Sequence, residues 1–463
     1  MSDVLTSRSP IDGSIYATRK LASPPEVETA VHDAQAAHQQ WKGSKLADRA
    51  AICHQVIDAI IANQDEIARQ LCWMMGRPIR YARAEILATE ERARYMIDAA
   101  EEALEPTVLS QLPGYSRYIK KEPLGTVLVI SPWNYPYLSA VNTIIPAIMA
   151  GNSVILKHSS QTLLCAEQFA KAFQQTQIPA EVFQYLHLNR ADTQKLVKHP
   201  GINYVSFTGS VEGGKAIKAA AADSIVEVGL ELSGKDSSYI RHDADIDHAV
   251  ESCIDGAYFN SGQSCSAIER IYVHRTIYSE FVGKAEKLIK QFKLGPPYDP
   301  QVTLGPVVSL SAARYIRAQI DEAIAMGAVA HITASDFPAA NLNTCYLAPQ
   351  LLSKVTHKMS IMREETFGPV VGVMRVNSDQ EAIALMNDSP FGLTASVFSS
   401  DIDAATEIGE ELHVGTFFIN RCDYQDPALA WSGTKNSGSG SSLSTFGYHN
   451  VTQTKSFNLK THL

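Results

Sequence analysis

Residues 126–157, TVLVISPWNYPYLSAVNTIIPAIMAGNSVILK, predict a strand, a helix and a second strand in succession. The apolar runs 126–130 and 153–157 have the length of strands, and residues 136–149 have the length of a helix with Pro136 in its first turn. Apolar strands that alternate with helices are buried on both faces of a parallel sheet. The stretch therefore predicts an α/β fold with a doubly wound sheet, which binds ligands at the carboxyl ends of its strands.

The same alternation continues toward the C-terminus and forms two units that meet near residue 235. Further strands are predicted at 182–186, 202–207, 225–230, 270–274, 370–376 and 416–420. Helices are predicted at 26–41, 46–75, 81–104, 163–175, 212–222, 247–259, 276–291 and 310–326. Polar and apolar residues alternate in 115–122 and again in 450–460, which predicts exposed strands that can pair with another subunit.

The composition limits the class of protein. The chain has 463 residues, of which 45% are hydrophobic and 19% charged, as is typical of a soluble protein of two or three domains. Its net charge of −9 argues against nonspecific binding to nucleic acid or to an anionic membrane, which requires a basic face. There is no apolar run of about 18 residues, so no transmembrane segment is expected, and the N-terminus lacks a secretory pattern.

The cysteines are scattered and odd in number. There are seven, and none belongs to a CxxC pair, so neither a disulfide framework nor a zinc site is indicated. We therefore expect a protein of the reducing cytoplasm without a bound metal.

One cysteine lies in an unusual stretch, Asn260-Ser-Gly-Gln-Ser-Cys265. Structural cysteines are normally surrounded by large aliphatic side chains. Here Gly262, Ser264 and Ser266 leave room for a substrate carbon beside the sulfur. For a single cysteine a core or loop position is the commoner case, so this stretch alone leaves open both a structural role and a nucleophilic role.

Two polar residues stand at predicted strand ends. Asn134 follows strand 126–130, where its amide can stabilise a developing oxyanion or simply cap the helix that follows. Glu231 ends strand 225–230, where its carboxylate can act as a general base or form a surface ion pair. For each residue taken alone, the structural interpretation is favoured.

Two loops have the composition of ligand-binding segments. Gly209 and Ser210 follow a strand and precede a helix, so free N–H groups there can bind a phosphate, although a simple tight turn has the same residues. Glu365 stands two residues before Phe367. Such a pair can bind a ribose diol and pack against a nicotinamide ring, or the aromatic side chain can merely anchor a turn.

Seven motifs, in order along nearly the whole chain, resemble the aldehyde dehydrogenase superfamily. They are Pro132-Trp-Asn-Tyr-Pro136, Gly151-Asn-Ser-Val-Ile-Leu-Lys157, Phe207-Thr-Gly-Ser210, Glu231-Leu-Ser-Gly-Lys235, Asn260-Ser-Gly-Gln-Ser-Cys265, Glu364-Glu-Thr-Phe-Gly-Pro369 and Asn387-Asp-Ser-Pro-Phe-Gly-Leu393. Any one motif is weak evidence, but seven in the same order make coincidence remote.

The resemblance implies a Rossmann-like dinucleotide-binding domain, a second α/β catalytic domain and a small β arm for oligomerisation. The first corresponds to residues 1–109 and 123–231, the second to 232–430, the arm to 110–122 and 448–463, and a loop to 431–447. The arm implies a homodimer or homotetramer.

The resemblance also implies catalytic roles for three residues. Cys265 matches the nucleophile whose thiolate attacks the aldehyde carbon, and Asn134 with the backbone N–H of Cys265 matches the oxyanion hole. Hydride then leaves the thiohemiacetal for the nicotinamide of NAD or NADP. Glu231 matches the base that activates water to hydrolyse the thioester, so the implied product is a carboxylic acid.

The cofactor residues are implied in the same way. Lys157 and Glu365 match ribose contacts, Ser210 matches a pyrophosphate contact, and Phe367 matches the ring beside the nicotinamide. The complete set is Ile130, Pro132, Trp133, Lys157, Ser160, Gly209, Ser210, Leu232, Glu365 and Phe367.

Three positions depart from the family pattern. His158 stands where Pro usually follows the ribose lysine, and Ser233 stands where Gly is usual. Ser160 stands where NAD-specific members often have Glu, whose charge would repel a 2′-phosphate. We therefore expect NADP to be accepted, with NAD as the alternative cofactor.

The substrate side carries less information. Ser139 and Asn142, about one helical turn beyond Asn134, are not bulky, and the loop 421–427 lies where relatives shape the mouth of the tunnel. In that loop Arg421 can bind the carboxylate of a semialdehyde or form an ordinary structural ion pair. Without a clear carboxylate receptor, we expect an aliphatic aldehyde of medium or long chain.

Three other functions remain open. A CoA-acylating dehydrogenase commonly lacks the water-activating carboxylate that Glu231 supplies here. A catalytically silent structural member of the family does not require the intact set of Cys265, Asn134 and Glu231. A cysteine hydrolase without a cofactor needs a His close to Cys265, and no sequence feature nominates one.

Overall fold

The structure is a computed structural model that describes residues 3–422 and 424–461. The outermost residues of the predicted domains (Met1, Ser2, His462 and Leu463) and Asp423 of the predicted tunnel-mouth loop lie outside the described residues. The strands are β1 (Val4–Arg8), β2 (Ile15–Lys20), β3 (Thr107–Val108), β4 (Tyr115–Pro123), β5 (Thr126–Ser131), β6 (Ser153–His158), β7 (Phe183–Tyr185), β8 (Tyr204–Thr208), β9 (Glu227–Glu231), β10 (Asp236–Ile240), β11 (Ile268–His274), β12 (Val329–Ala330), β13 (Gln350–Ser353), β14 (Val370–Val376), β15 (Phe391–Gly392), β16 (Thr394–Phe398), β17 (Thr416–Ile419), β18 (Trp431–Ser432), β19 (Thr434–Lys435), β20 (Gly438–Ser439), β21 (Ser441–Ser442) and β22 (Thr452–Lys460).

The α-helices alternate with these strands through most of the chain. They are α1 (Pro24–Trp41), α2 (Leu46–Ala62), α3 (Gln64–Met75), α4 (Ile79–Asp98), α5 (Ala100–Leu104), α6 (Pro136–Ala150), α7 (Leu164–Gln174), α8 (Arg190–Val197), α9 (Val211–Ala221), α10 (Ile246–Tyr258), α11 (Tyr278–Ile289), α12 (Leu310–Ala325), α13 (Asp379–Asn387) and α14 (Ile402–Glu410).

The first sheet has the strand order β20-β9-β8-β5-β6-β7. Its strands are parallel except β20, which is antiparallel to β9 with Gly438 opposite Glu231. Every residue of β5 is buried, as expected for a strand covered by helices on both faces. The predicted strand-helix-strand stretch thus forms the centre of this sheet.

The second sheet has the order β12-β13-β14-β11-β10-β16-β17 and is parallel except for the edge pair β12 and β13. Its strands β10, β12, β13 and β16 were missed by the sequence prediction. All of β10 is buried although three of its residues are polar. The hydroxyl groups of Ser238 and Ser396 form a hydrogen bond of 2.6 Å with each other, so neither is left without a partner in the core. Because these buried residues are polar, a hydropathy pattern does not detect the strand.

These two largely parallel sheets confirm the predicted α/β fold. The largest apolar cluster fills the space between the first sheet and the helices packed on it, and two further clusters lie on the second sheet. The predicted domain boundaries remain predictions. Within the described residues, no helix is both long enough and apolar enough to cross a membrane.

Two helices predicted as continuous are divided. Residues 46–75 form α2 and α3, which are separated at Asn63 with φ −102° and ψ 12°. Residues 81–104 form α4 and α5, which are separated at Ala99. An interruption of one residue leaves the apolar spacing almost unchanged, so helical periodicity does not reveal it.

The segment 431–447 was predicted as a loop, and that prediction was wrong in part. It contains β18, β19, β20 and β21, which have two residues each and pair with strands elsewhere or with one another. Strands this short, rich in Gly and Ser, have no periodicity to detect. Their consequence for the site is that β20 brings the following residues beside Glu231.

The two segments predicted as exposed strands pair with each other. β22 lies antiparallel to β4, from Thr452 opposite Pro123 to Lys460 opposite Tyr115, and β3 lies on the other side of β4. Residues 448–451, predicted to belong to the arm, instead lie in a 3-10 helix. The outer edge of β22 pairs with no other strand of residues 3–422 or 424–461, and assembly through it remains a prediction.

Candidate active site

A cavity of about 840 Å³ lies at the carboxyl ends of the strands of the first sheet, where parallel strands place their ligand sites. The loops that contain Cys265 and Glu365 form its other wall. All residues predicted for catalysis or cofactor binding line it: Ile130, Pro132, Trp133, Asn134, Lys157, Ser160, Gly209, Ser210, Glu231, Leu232, Cys265, Glu365 and Phe367. The structure brings these residues together, while their individual roles remain a proposal.

The loop before Cys265 has a backbone conformation that few residues adopt. Asn260, Ser261 and Gly262 lie in the left-handed region, with φ of 52°, 57° and 69°. A Cβ on Gly262 would lie 2.1 Å from the carbonyl oxygen of Gly368. Glycine is therefore required at this position, and the chain turns sharply just before the thiol.

Its position in the cavity wall distinguishes Cys265 from the other cysteines. Cys265 is partly exposed in the cavity wall. Cys53 and Cys72 are buried, and burial raises the pKa of each thiol to about 12, which makes them unreactive. Cys345 and Cys422 are partly exposed but do not line the cavity.

Asn134 is not the cap of helix α6, which was the alternative interpretation of this residue. The residue at the cap position is Tyr135, and no side chain makes a capping bond there. Instead the side-chain amide of Asn134 donates to the carbonyl oxygen of Gln263 at 3.2 Å. The Asn134 side chain is therefore directed toward the loop that contains Cys265.

Arg77 joins the segment of Asn134 to the loop that contains Cys265. No sequence feature indicated this role. Its Nε donates to Oδ1 of Asn260 at 3.1 Å, and its Nη2 donates to the carbonyl oxygen of Asn134 at 2.7 Å. Its Nη1 forms an ion pair with the carboxylate of Glu85. Both side chains of the pair are buried, so the guanidinium holds the two loops through charge-assisted hydrogen bonds in a water-poor environment.

Glu231 is held by the segment that follows β20. The Ser442 hydroxyl donates to its carboxylate, and Thr208 provides a further side-chain hydrogen bond. Burial raises the pKa of Glu231, and the bond from Ser442 and the charge of Arg92 oppose this rise. A carboxyl group with a raised pKa at the end of β9, lining the cavity, has the properties of a general base.

A second buried arginine also lines the cavity and was not identified from sequence. Arg92 lies on α4 and is 7% exposed. Its Nη1 donates to Oδ1 of Asn142 at 3.1 Å and weakly to the carbonyl oxygen of Leu138. A buried polar side chain within a predicted amphipathic helix gives no signal in the apolar periodicity.

Ser210 caps helix α9. Its hydroxyl accepts a hydrogen bond of 3.2 Å from the N–H of Gly213. A Cβ on either Gly209 or Gly213 would approach the Phe207 ring within 2.8 Å, so both glycines allow close packing of the turn. The turn therefore serves as a tight connection and still presents a helix N-terminus to the cavity.

Lys157 and Glu365 are the ionisable pair predicted for ribose binding. Burial, together with the charge of Arg190, lowers the pKa of Lys157 to about 8. Burial and the neighbouring Glu269 raise the pKa of Glu365 to about 7. Both groups line the cavity, and their shifted pKa values reflect side chains withdrawn from water at a ligand site.

Hydrogen bonds to the Glu269 side chain fix the loop that contains Glu365 and Phe367. The carboxylate of Glu269 accepts from the N–H groups of Thr366 and Phe367. Phe367 has φ of 50°, and its ring meets Trp133 edge-on at 5.6 Å between centroids. The Phe367 ring is therefore held against the opposite wall of the cavity.

The three departures from the family pattern have distinct surroundings. His158 is buried, with Nε2 at 3.1 Å from the carbonyl oxygen of Pro136, and burial lowers its pKa to about 4. Ser233 makes a side-chain hydrogen bond with Glu365. Ser160 is exposed and lines the cavity beside Lys157.

Arg421 does not have the position expected of a substrate receptor. It is exposed, its guanidinium lies over the Tyr424 ring at 4.1 Å, and it is not part of the cavity lining. Stacking on an aromatic ring is a common position for a surface arginine. Tyr424 lines the cavity whereas Arg421 does not, and the binding of a substrate carboxylate by Arg421 stays a prediction. The described side chains also include no cluster of His, Cys, Asp and Glu suited to hold a metal.

The family model described as the aldehyde dehydrogenase family matches residues 2–457. The chain belongs to the aldehyde dehydrogenase family. The predicted resemblance and the prediction of an oxidoreductase are therefore confirmed.

Known aldehyde dehydrogenases match it over nearly their whole length. Succinate semialdehyde dehydrogenase (NAD(P)+) Sad from Escherichia coli is 32% identical over 445 residues, 96% of this chain and 95% of its own. Succinate-semialdehyde dehydrogenase (NADP(+)) from Deinococcus radiodurans is 33% identical over 452 residues, 96% of this chain and 93% of its own.

Solved structures of the family have the same fold. The succinic semialdehyde dehydrogenase of Streptococcus pyogenes, in complex with NADP+, superimposes with a TM-score of 0.94 at 27% identity, covering 98% of this chain and 100% of that chain. The NADP-dependent glyceraldehyde-3-phosphate dehydrogenase of Bacillus halodurans gives a TM-score of 0.94 at 30% identity, covering 100% and 96%.

Proposed function

We propose that this aldehyde dehydrogenase forms a thioester on Cys265, uses NADP or NAD as hydride acceptor and releases a carboxylic acid. The observation that carries the proposal is the convergence of Cys265, Asn134 and Glu231 on one cavity from three separate segments of the chain. This set contains the nucleophile, the neutral donor and the carboxylate that the reaction needs.

Formation of the covalent adduct requires a donor at the substrate oxygen. When the Cys265 thiolate attacks the aldehyde carbon, the carbonyl oxygen acquires negative charge. The Asn134 amide and the backbone N–H of Cys265 donate to this oxygen, which stabilises the transition state more than the bound aldehyde. The bond from Asn134 to Gln263 holds the amide near the Cys265 loop beforehand.

The other end of the cavity fits a dinucleotide. The Lys157 amine donates to no acceptor among residues 3–422 and 424–461, and Ser210 with the N-terminus of α9 offers donors suited to phosphate. Glu365 offers a carboxylate for a ribose diol, and Ile130, Pro132, Trp133, Gly209, Leu232 and Phe367 complete the walls. NADP or NAD held by these residues would supply the acceptor for the hydride that leaves the substrate carbon.

Release of the product requires water and a base. The Glu231 carboxylate takes a proton from water as the water oxygen attacks the thioester, and the Cys265 thiolate leaves. Burial of Glu231 raises its proton affinity, which suits it to this step near neutral pH. This step separates the proposal from a CoA-acylating dehydrogenase, in which CoA takes the place of water.

The experiment is to follow formation of reduced cofactor in the wild type and in Cys265→Ala and Glu231→Gln variants. We expect no turnover in Cys265→Ala. In Glu231→Gln we expect a burst of about one reduced cofactor per subunit and then a slow rate, because the thioester still forms. A strong acceleration of the wild type by CoA would instead favour the acylating enzyme, and no turnover with any aldehyde would favour a silent member.

We further propose that the substrate is a short semialdehyde with a carboxylate at its far end. The supporting observation is that several similar relatives are named succinate semialdehyde dehydrogenases. This replaces the expectation of a medium- or long-chain aliphatic aldehyde, which the relatives do not support. Comparing kcat/KM for succinic semialdehyde, butanal and dodecanal tests it, and a rate that climbs with apolar chain length would contradict it.

A further inference from the structure

Arg92 is a buried charge in the wall of the cavity. Arg92 is 7% exposed, and it forms no ion pair with an Asp or Glu of the described residues. Arg77, the other buried arginine of this region, is paired with Glu85. A buried guanidinium remains charged and is costly unless an anion accompanies it, so Arg92 is suited to receive an anion from outside the chain.

The hydrogen bonds of Arg92 leave two nitrogen atoms of its guanidinium group available. Among the residues that the structure describes, only Nη1 has acceptors, which are Oδ1 of Asn142 at 3.1 Å and the carbonyl oxygen of Leu138 at 3.4 Å. Nε and Nη2 donate to no atom of the described chain, and the residue lines the cavity. Guanidinium donors in this arrangement match the two oxygens of a carboxylate.

The position of Arg92 is close to the reaction centre. Burial lowers the pKa of Arg92 to about 10, and the charges of Glu231 and Cys265 are among those that oppose this change. Glu91, which also lines the cavity, and Glu85, which pairs with Arg77, act on Arg92 through their charges as well. The fixed bond to Asn142, on α6, holds the guanidinium in place beside the substrate side of the cavity.

We propose that Arg92 is the receptor for the far carboxylate of the substrate, and that this residue selects short ω-oxo carboxylates over neutral aldehydes. The proposal rests on the proposed aldehyde oxidation and names the residue that determines its substrate class. Nε and Nη2 of Arg92 bind the carboxylate while the aldehyde carbon reacts at Cys265 in the same cavity.

Another role for Arg92 would be to tune Glu231 alone. A tuning residue acts on every thioester alike, because deacylation by water does not depend on the far end of the acyl chain. A carboxylate receptor acts on substrates that carry a carboxylate and on carboxylate inhibitors. The two roles therefore differ in the ratio of kcat/KM between substrates of matched length.

The test compares succinic semialdehyde with butanal, which has the same number of carbons and no charge. In Arg92→Met we expect the ratio of kcat/KM for succinic semialdehyde to that for butanal to fall by roughly 10²-fold, mainly through KM. Arg92→Lys, which keeps the charge but loses the fork, should give an intermediate ratio. Arg94→Met provides a matched control, because Arg94 lies two residues further along α4 and pairs with Asp58 and Glu90 away from the cavity.

Two further readouts keep the proposal testable if Arg92→Met does not fold. Asn142→Asp places a carboxylate beside Arg92 and should abolish the preference for the semialdehyde while the guanidinium remains. Succinate should compete with succinic semialdehyde in the wild type and should no longer inhibit Arg92→Lys.

The proposal would be overturned if Arg92→Met lost kcat/KM equally with succinic semialdehyde and with butanal. It would also be overturned if the pH profile changed while the ratio of the two kcat/KM values stayed the same. No reduced cofactor with either substrate in the wild type would contradict the proposed aldehyde oxidation itself.

Discussion

The side-chain amide of Asn134 donates a 3.2 Å hydrogen bond to the carbonyl oxygen of Gln263, two residues before Cys265. The donor lies just after β5 of the first sheet and the acceptor lies in the loop after α10, so the bond joins segments 129 residues apart in sequence. A donor held at this place is available to an oxyanion that forms on a Cys265 adduct.

Removal of the Asn134 amide should slow the chemical step much more than it weakens cofactor binding. We expect Asn134→Ala to lower kcat by roughly 10²–10³-fold, as for other single oxyanion donors. The dissociation constant for NADP should change little, because the amide acts on the substrate oxygen. Steady-state kinetics and cofactor titration check this, with Asn343→Ala in an exposed loop as control. Unchanged kcat in Asn134→Ala would remove the residue from the proposed mechanism.

The Ser442 bond to Glu231 should set the pH dependence of turnover. The hydroxyl donates to the carboxylate and so favours its charged form, which lowers the pKa of Glu231 against the larger effect of burial. In Ser442→Ala the pKa of Glu231 should rise further. The base is active only when deprotonated, so the acidic limb of the kcat profile should move to higher pH. A profile of kcat against pH tests this, and a limb that stays in place or moves to lower pH would contradict it.

The pair of Arg77 and Glu85 should be important for both stability and catalysis. Removal of one member of a buried ion pair leaves an uncompensated charge and typically costs about 3–5 kcal/mol. We expect Arg77→Met to lower Tm and kcat, whereas Arg77→Met with Glu85→Gln should recover part of the lost Tm. The double variant should remain slow, because the bonds to Asn134 and Asn260 are still missing. Recovery of kcat along with Tm would show that Arg77 acts only on stability.

The positive charges near the ribose site should make cofactor binding depend on pH. Burial, together with Arg190, lowers the pKa of Lys157 to about 8, so the ammonium loses its proton as the pH rises through this value. We expect NADP to bind more weakly above pH 8 than below it, and Lys157→Arg to suppress the dependence because arginine stays charged. Fluorescence titration with NADP on either side of pH 8 measures this, and an equal dissociation constant at both would contradict it.

Arg190 should contribute to the choice between cofactors. It is the first residue of α8, lines the cavity and acts on Lys157 through its charge. We expect Arg190→Ala to raise KM for NADP more than KM for NAD, because the charge would act on the additional 2′-phosphate. Lys195→Ala, on the exposed side of α8, is the matched control. Equal effects on the two cofactors would exclude this role for Arg190.

Much of the chemistry could be predicted from the sequence because it resides in contiguous motifs. The residues Cys265, Asn134 and Glu231 each follow or end an element of regular structure, and parallel strands bring such ends to one edge. The structural alternatives for Asn134 and Ser210 could not be decided from sequence. Ser210 does cap its helix whereas Asn134 does not, because only the fold places Gln263 within reach of Asn134.

Motif order and strand-helix alternation alone determined the family and the α/β fold, because these depend on residue type and local spacing, and the family resemblance in turn implied the catalytic and cofactor residues that line the cavity. Only the tertiary structure decided which arginines are buried near the catalytic residues. From the sequence, Arg77 and Arg92 look like ordinary polar residues near and on an amphipathic helix, and Arg421 fits either a substrate receptor or a structural ion pair. In the fold, contacts with Glu85, Asn134 and Asn260 surround Arg77, Arg92 is buried beside Asn142, and Arg421 is exposed. Burial, which depends on contacts between distant segments, determines whether a charge is paired, unbalanced or merely solvated.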